Sequence, residues 1–218
     1  MAAVVGDRRH LGAARRYVMV KQERAARTRQ ALIRSAAEVF AEQGFARASI
    51  STISLRAGVS NGALHFHFSS KRALAEAVQQ EAADVVRRMT DGVEAACGPL
   101  QGVVDATHGL VKRLADDVVV RAGFALCGGP EDGPGGSDVV GCVDPRREWQ
   151  AWIEGMLGRA EEEALLADGV STRGAAEAIV AATVGFEVLG GRDRSWLDDE
   201  TVTRFWDLML PPLSARDL

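Results

Sequence analysis

No apolar run in the 218 residues reaches the roughly 18 to 20 needed to cross a bilayer, and the opening MAAVVGDRRHLGAARRYVM holds no uninterrupted apolar segment of the signal-peptide type. A membrane partner is therefore not expected, and the expected location is cytoplasmic. Cysteine is scarce: Cys97, Cys142 and Cys127 are odd in number and widely spaced, which speaks against a disulfide framework or a zinc knuckle. Lysine is scarcer still for a chain with 26 basic residues, since only Lys21, Lys71 and Lys112 are not arginine. Runs of alternating apolar and polar residues between helical segments are missing as well, so a parallel sheet is not expected. There is no internal repeat.

What is present is a core's worth of apolar residues, 47% of the chain, and a division of charge that the net value of −4 conceals. Residues 1 to 72 carry 13 Lys and Arg against 4 Asp and Glu, a balance of +9, while residues 73 to 218 carry 13 against 26, a balance of −13. A small basic head thus precedes a larger acidic body. Only the head can neutralise phosphates and release their counterions, so an anionic partner for the head is expected.

Helical spacing of apolar residues runs through nearly the whole chain. Ala25, Leu32, Ile33, Ala36, Ala37, Val39 and Phe40 place a long first helix over 23 to 43, with Gly44 as its C-terminal cap. A short amphipathic piece follows over 49 to 57, ended by Gly58, and Ser60 is placed to cap a third piece over 61 to 67. Ser69 or Ser70 caps a fourth helix over 71 to about 96. Further helical pattern spans about 101 to 116, 117 to 127, 146 to 167, 172 to 189 and 198 to 210, where Pro211 and Pro212 stop it. Between them CGGPEDGPGGSDVVGCVDP, 127 to 145, reads as a surface loop. The fold class expected is all-α with about nine helices: a basic extension without fixed structure over 1 to 20, a helix-turn-helix domain over 21 to 70, and a ligand-binding and dimerisation domain over 71 to 218.

GVSNGALHFHF, 58 to 68, carries the central ambiguity. Gly58-Val59-Ser60-Asn61-Gly62 fits the G-x-S-x-G pattern of an α/β-hydrolase nucleophile. That chemistry needs a strand before the serine, a helix after it and a downstream acid and histidine. ISTISLRAG before Ser60 has helical spacing, and no HGGG-type oxyanion loop exists. No catalytic residue is expected. The same residues fit a helix-turn-helix better: Gly58 permits the turn, Ser60 caps the second helix, and Gly62 and Ala63 let the backbone approach DNA. Asn61 can meet a base edge, adenine if bidentate. His65 and His67 are two apart and point to different sides of a helix, so no metal site and no cofactor are expected; His67 reads as a packing residue between the third and fourth helices.

KQERAARTRQALIRSAAEVFAEQGFARASISTISLRAGVSNGALHFHFSSKRALAEAV, Lys21 to Val78, resembles the DNA-binding domain of the tetracycline-repressor family. R-x-x-x-T-R-x-x-[IL] near its start, A-G-V-[ST]-x-G-A-L-x-F-H-F and the following S-K resemble, more narrowly, the γ-butyrolactone receptors of actinomycetes and their antibiotic-sensing relatives. The resemblance implies a homodimer on a palindromic double-stranded operator, acting as a repressor and released by a small-molecule effector. By position, Ser60, Asn61, Gly62, His65 and Lys71 would face the operator, with Arg29 and Thr52 as helpers at phosphates. Asn61 stands where a lysine is usual in the receptors and His65 where a tyrosine is usual, which alters the expected sequence preference or salt dependence.

The body continues the resemblance. VVVRAGFALCGGP, the loop, EWQAWIEGML and VGFEVLGG are similar to the receptors' equivalent stretches, and by that match Trp149 is the pocket tryptophan. Trp152 shares its helix face, and Gln150 and Thr183 are the candidate polar groups of the pocket. Apolar residues of the helices over 172 to 189 and 198 to 210 exceed one subunit's needs, which predicts a four-helix dimer interface. A DNA-binding dimer whose body takes no ligand is the alternative reading. If the extension has a role, Arg8, Arg9, Arg15 and Arg16 would form a basic arm on DNA.

Overall fold

The computed structural model describes residues 7–94, 98–127 and 143–215, with side chains from Met19 onward apart from Val20 and Glu94. Described residues fold into α1 (Asp7–Arg47), α2 (Ile50–Arg56), α3 (Asn61–His67), α4 (Lys71–Glu94), α5 (Pro99–Asp116), α6 (Val118–Ala125), α7 (Pro145–Glu162), α8 (Thr172–Gly190), one 3-10 turn (Arg194–Leu197) and α9 (Asp199–Leu213). The only β pairing among them is an isolated bridge between Leu166 and Ser214. The all-α expectation holds, and so does the reading of the chain as a short head followed by a long body.

Local chemistry sets the boundaries. Ser49, Ser60 and Ser171 each accept a backbone N–H at the start of α2, α3 and α8, while Asp117 and Asp144 do so for α6 and α7, satisfying donors that a helix N-terminus otherwise leaves orphaned. Pro99 and Pro145 sit at the first turn of their helices, where a missing N–H costs nothing. Two boundaries differ from the sequence reading. Helical backbone reaches back to Asp7, through residues expected to form an unstructured extension, because Ala13, Ala14, Arg15 and Arg16 are good helix formers. At the other end α9 runs through Pro211 and Pro212 to Leu213, since a proline in the last turn forfeits fewer bonds than one in the interior. Gly44, expected as a cap, interrupts α1 with φ 74 and ψ 161, an extended positive-φ conformation open essentially to glycine alone. The basic-arm expectation for Arg8, Arg9, Arg15 and Arg16 concerns side chains outside the described residues, as does most of the loop expected over 127 to 145.

Two apolar cores form, and they do not divide at residue 70. The head core joins Leu32, Ile33 and Phe40 of α1, Ile53, Leu64 and Phe68 with Leu74 and Val78 of α4, and it also takes Val119, Ala122 and Leu126 from the α6 region. The body core joins Val86 of α4 with α5, Trp149 and Ile153 of α7, Ile179 and Phe186 of α8 and Trp206 of α9, and takes Val120 and Phe124 from α6. One short helix therefore feeds both cores from opposite faces. Gly123 makes its seating possible: a Cβ there would lie 2.3 Å from Ala82 Cβ and 3.3 Å from Val78 O, so α4 and α6 cross with no room for a side chain. Arg121, two residues before it, donates through Nη1 to the carbonyls of Leu114 and Ala115 at 3.0 Å each and ties α6 to the end of α5. The Arg-Ala-Gly stretch thus has a mechanical role.

Candidate nucleic-acid interface and body site

α2 and α3 are joined by a turn in which Gly58 has φ +67, a left-handed conformation that favours glycine. Ser60 Oγ accepts from Ala63 N at 3.1 Å, the cap expected of it. A helix, not a strand, precedes Ser60, so the strand-to-helix turn of a hydrolase elbow is replaced by helix-turn-helix geometry. Leu64 and Phe68 lock α3 into the head core, leaving Asn61, Gly62, His65 and Phe66 exposed. Phe66 is 82% exposed and meets the His67 ring edge-on at 5.3 Å between centroids. Nothing in the hydrophobic pattern marked Phe66 as outward; only the registration of Leu64 and Phe68 inward does. His67 is half-buried.

The polar residues differ in what they leave available. Ser54 Oγ donates to Asn61 Oδ1 at 2.5 Å, which ties the Asn61 carbonyl to α2 and leaves its amide nitrogen as the group for DNA. Bidentate reading of adenine needs both atoms, so this pose favours a single donor contact. Thr52 belongs to the cap of α2, with its Oγ1 2.8 Å from Ser49 Oγ. Arg29 is exposed and its guanidinium lies 5.2 Å from the Phe68 ring centroid, held beside the end of α3 by a cation–π contact. Arg56 forms a two-point pair with Glu42 at 2.6 and 2.7 Å, and that hydrogen bonding holds the Glu42 carboxyl below its ordinary value.

Lys71 is turned toward the protein. Its Nζ donates to the carbonyls of Phe45 at 2.7 Å, Ala46 at 3.2 Å and Ala48 at 2.9 Å, and sits 4.5 Å from the Phe45 ring centroid. An ammonium has three donors, and all three are engaged in closing the kinked end of α1. In this arrangement it closes the end of α1.

In the body, three of the four expected residues meet. Trp149 is 1% exposed, its Nε1 donates to Thr183 Oγ1 at 3.3 Å, and its ring stacks on Trp152 at 5.4 Å between centroids. Thr183 in turn donates to Ile179 O at 2.8 Å. Gln150 points elsewhere: its amide donates to Glu154 at 2.8 Å on the exposed side of α7, so it leaves the set of candidate pocket groups. Elsewhere in the body core, the indole N–H of Trp206 is buried with no acceptor among the described residues, a rare condition for a native polar group. No spacing in the sequence marks that orphan donor. Among the described residues no group of three or more His, Cys, Asp or Glu is arranged to hold a metal, and no helix is long and apolar enough to cross a membrane.

Residues 32–78 match the family model of bacterial regulatory proteins, tetR family. Over 206 residues, 90% of this chain and 67% of the relative, the chain is 31% identical to the A-factor receptor protein of Streptomyces griseus. Among solved structures it is similar, at 28% identity and a TM-score of 0.75 over 87% of this chain and 98% of the other, to one solved for the molecular basis of control of antibiotic production by bacterial hormones. It is also similar, at 26% identity and a TM-score of 0.73 over 87% of this chain and 90% of the other, to the TetR-family protein CprB of Streptomyces coelicolor in complex with its biological operator sequence. These relatives are regulators and not enzymes. With the reading helix, its serine cap and the shared α6 already in place, the chain belongs to the tetR family of bacterial transcriptional regulators and is of the γ-butyrolactone receptor type.

Proposed function

We propose that the chain is a repressor that binds palindromic operator DNA as a homodimer in the cytoplasm and leaves it when a small molecule enters the body. The observation that carries the DNA half is the outward face of α3. Asn61, Gly62, His65 and Phe66 are exposed on it while its other side is locked into the head core. The N-terminal residues of such a helix meet base edges in the major groove. Ser60, Thr52 and Arg29 flank it as phosphate and positioning groups, and the Phe66 ring supplies an apolar edge of the kind that contacts a thymine methyl. Similarity to the operator-bound CprB supports this half.

The effector half rests on Trp149, Trp152 and Thr183 together with the unpartnered N–H of Trp206 in the same apolar core. A lactone or butenolide carbonyl, or an oxygen substituent on a furan, is an acceptor on an apolar frame, and it would satisfy that donor while its frame lies against the stacked indoles. An antibiotic or a biosynthetic intermediate with such a carbonyl fits the same group, and control of secondary metabolism is the setting the A-factor receptor suggests. The second reading is a DNA-binding dimer with no effector. It is favoured by the closure of the Trp149 N–H on Thr183, which leaves that donor satisfied without a ligand.

Dimerisation uses α8 and α9. Ala178, Ala181 and Val188, with the half-buried Gly185 between them, form a stripe of small and apolar residues along α8, and Leu208 on α9 is 77% exposed. Two such pairs make a four-helix interface. The deciding experiment is a gel-shift titration of the full chain on its own upstream DNA, with and without an organic extract of the producing culture. A shifted band abolished by the extract supports the whole reading. A band the extract leaves intact supports the effector-free dimer, and absence of any band on two-fold DNA overturns the operator half.

A further inference from the structure

A cavity of about 590 Å³ lies between head and body, and neither Trp149 nor Thr183 lines it. Its head wall is the kinked end of α1, with Phe40 and Phe45, and its body wall includes Leu114 and Leu197. Three arginines reach it, Arg47 from the head and Arg121 and Arg146 from the body, against one carboxylate, Glu187. We propose that this cleft is a second effector site that takes an amphipathic organic monoanion, a carboxylate on an apolar body, clasped between head and body.

The charges decide the sign of the ligand. Glu187 is already held by Arg146, whose Nη2 donates to both of its oxygens at 2.9 and 2.8 Å with Nε at 3.1 Å, so it does not compete for a further cation. Nearby Asp144 serves as the α7 cap, accepting from Arg146 N at 2.9 Å. Arg121 is partly engaged with the α5 carbonyls. Arg47 uses only Nε, donating to Gln43 O at 2.9 Å, and its Nη1 and Nη2 have no partner among the described residues. That open edge is the fork to which a carboxylate bonds at two points. The aromatic and leucine walls receive an apolar tail, whose removal from water drives binding. The volume lies in the range of about 300 to 1,000 Å³ usual for small-molecule sites.

Because one wall moves with α1 and the other with α5, α7 and α8, an occupant touching both favours the head pose in which the walls stand at this separation. It changes operator affinity only as far as it prefers that pose to others. The cleft is independent of the reading above, since binding to it is measured without DNA.

Isothermal titration of decanoate into the full-length protein tests it, with decanol as the neutral probe of the same tail. One decanoate is expected per chain. Decanol should bind roughly ten-fold more weakly, and Arg47→Gln should weaken decanoate by about the same factor, the loss of one charge-assisted hydrogen bond. Ala125→Trp, which fills the cleft from an exposed position on α6, should abolish the heat. Thermal unfolding near the wild-type midpoint confirms that each variant is folded. Arg47→Gln, at an exposed residue, carries the test if the bulkier variant fails to fold. Equal binding of decanol and decanoate, decanoate binding unchanged in Arg47→Gln, or no binding of decanoate at millimolar concentration would each overturn the proposal. So would loss of binding in Trp149→Phe with retention in Ala125→Trp, which would move the ligand into the body core.

Discussion

Two residues of the head illustrate how differently a side chain can serve the same surface. Phe66 is almost free of the fold, so Phe66→Ala should leave unfolding stability within about 0.5 kcal/mol yet weaken operator binding by on the order of 1 to 2 kcal/mol, the apolar area it would bury against DNA. Denaturant titration beside a gel-shift isotherm separates the two quantities. Lys71 is the reverse case. Replacing it with Met strips three carbonyls at the end of α1 of their donor, and the head should lose about 1 to 3 kcal/mol. The slope of log affinity against log salt should stay at its wild-type value, whereas loss of a true phosphate contact lowers it by about 0.9. A drop of that size in Lys71→Met would restore the lysine to the operator. Sequence pattern placed Lys71 beside α3 correctly, but an ammonium facing DNA and one facing backbone carbonyls look alike until the kink at Gly44 brings those carbonyls within reach.

Among the elements, the crossing of α4 and α6 is the most tightly specified. Gly123→Ala places a methyl 2.3 Å from Ala82 Cβ, and the resulting overpacking should cost about 1 to 3 kcal/mol. Ala82→Gly in the same chain should restore part of it, a coupling that a double-mutant cycle in urea would measure. Just beyond lies Cys127, whose Sγ meets Gln79 Nε2 at 3.4 Å and Gly123 O at 3.2 Å. Burial pushes its thiol up to about 12 from 9.0, with Asp144 adding to the shift. A folded-state value above the unfolded one means that the stabilisation is complete below pH 9 and is lost as pH rises toward 12. Since the thiolate is the nucleophile, a chain keeping Cys127 alone, with Cys97→Ser and Cys142→Ser, should resist iodoacetamide at pH 8 until unfolded. Rapid native-state labelling would show the thiol to be open. Helix positions and caps were legible because serines, aspartates and prolines act within a few residues of themselves. The division of α6 between two cores was not, since Val119 and Val120 are adjacent and equally apolar, and only the tertiary packing assigns them to opposite sides.

At the scale of the whole molecule, the proposed dimer face on α8 and α9 can be tested directly. Leu208→Glu places a charge at its exposed centre and should convert the protein to a monomer in sedimentation at micromolar concentration; a dimer that survives it would mean another face joins the subunits. The fold class was visible from composition, spacing and resemblance, while the Trp149–Thr183 bond, the orphan N–H of Trp206 and the choice of an outward turn for Gln150 depend on helix rotations that no linear pattern encodes. The sharing of α6 has a further meaning for how such regulators can be recombined. Residues 118 to 126 complete the core of the reading head although they lie far along the chain from it. The head is therefore not a contiguous cassette. A chimera that grafts residues 1 to 70 onto a different body inherits a stranger's α6 as the fourth wall of its core, and operator specificity can be exchanged between relatives only when that helix, and the half of α4 it crosses, travel along.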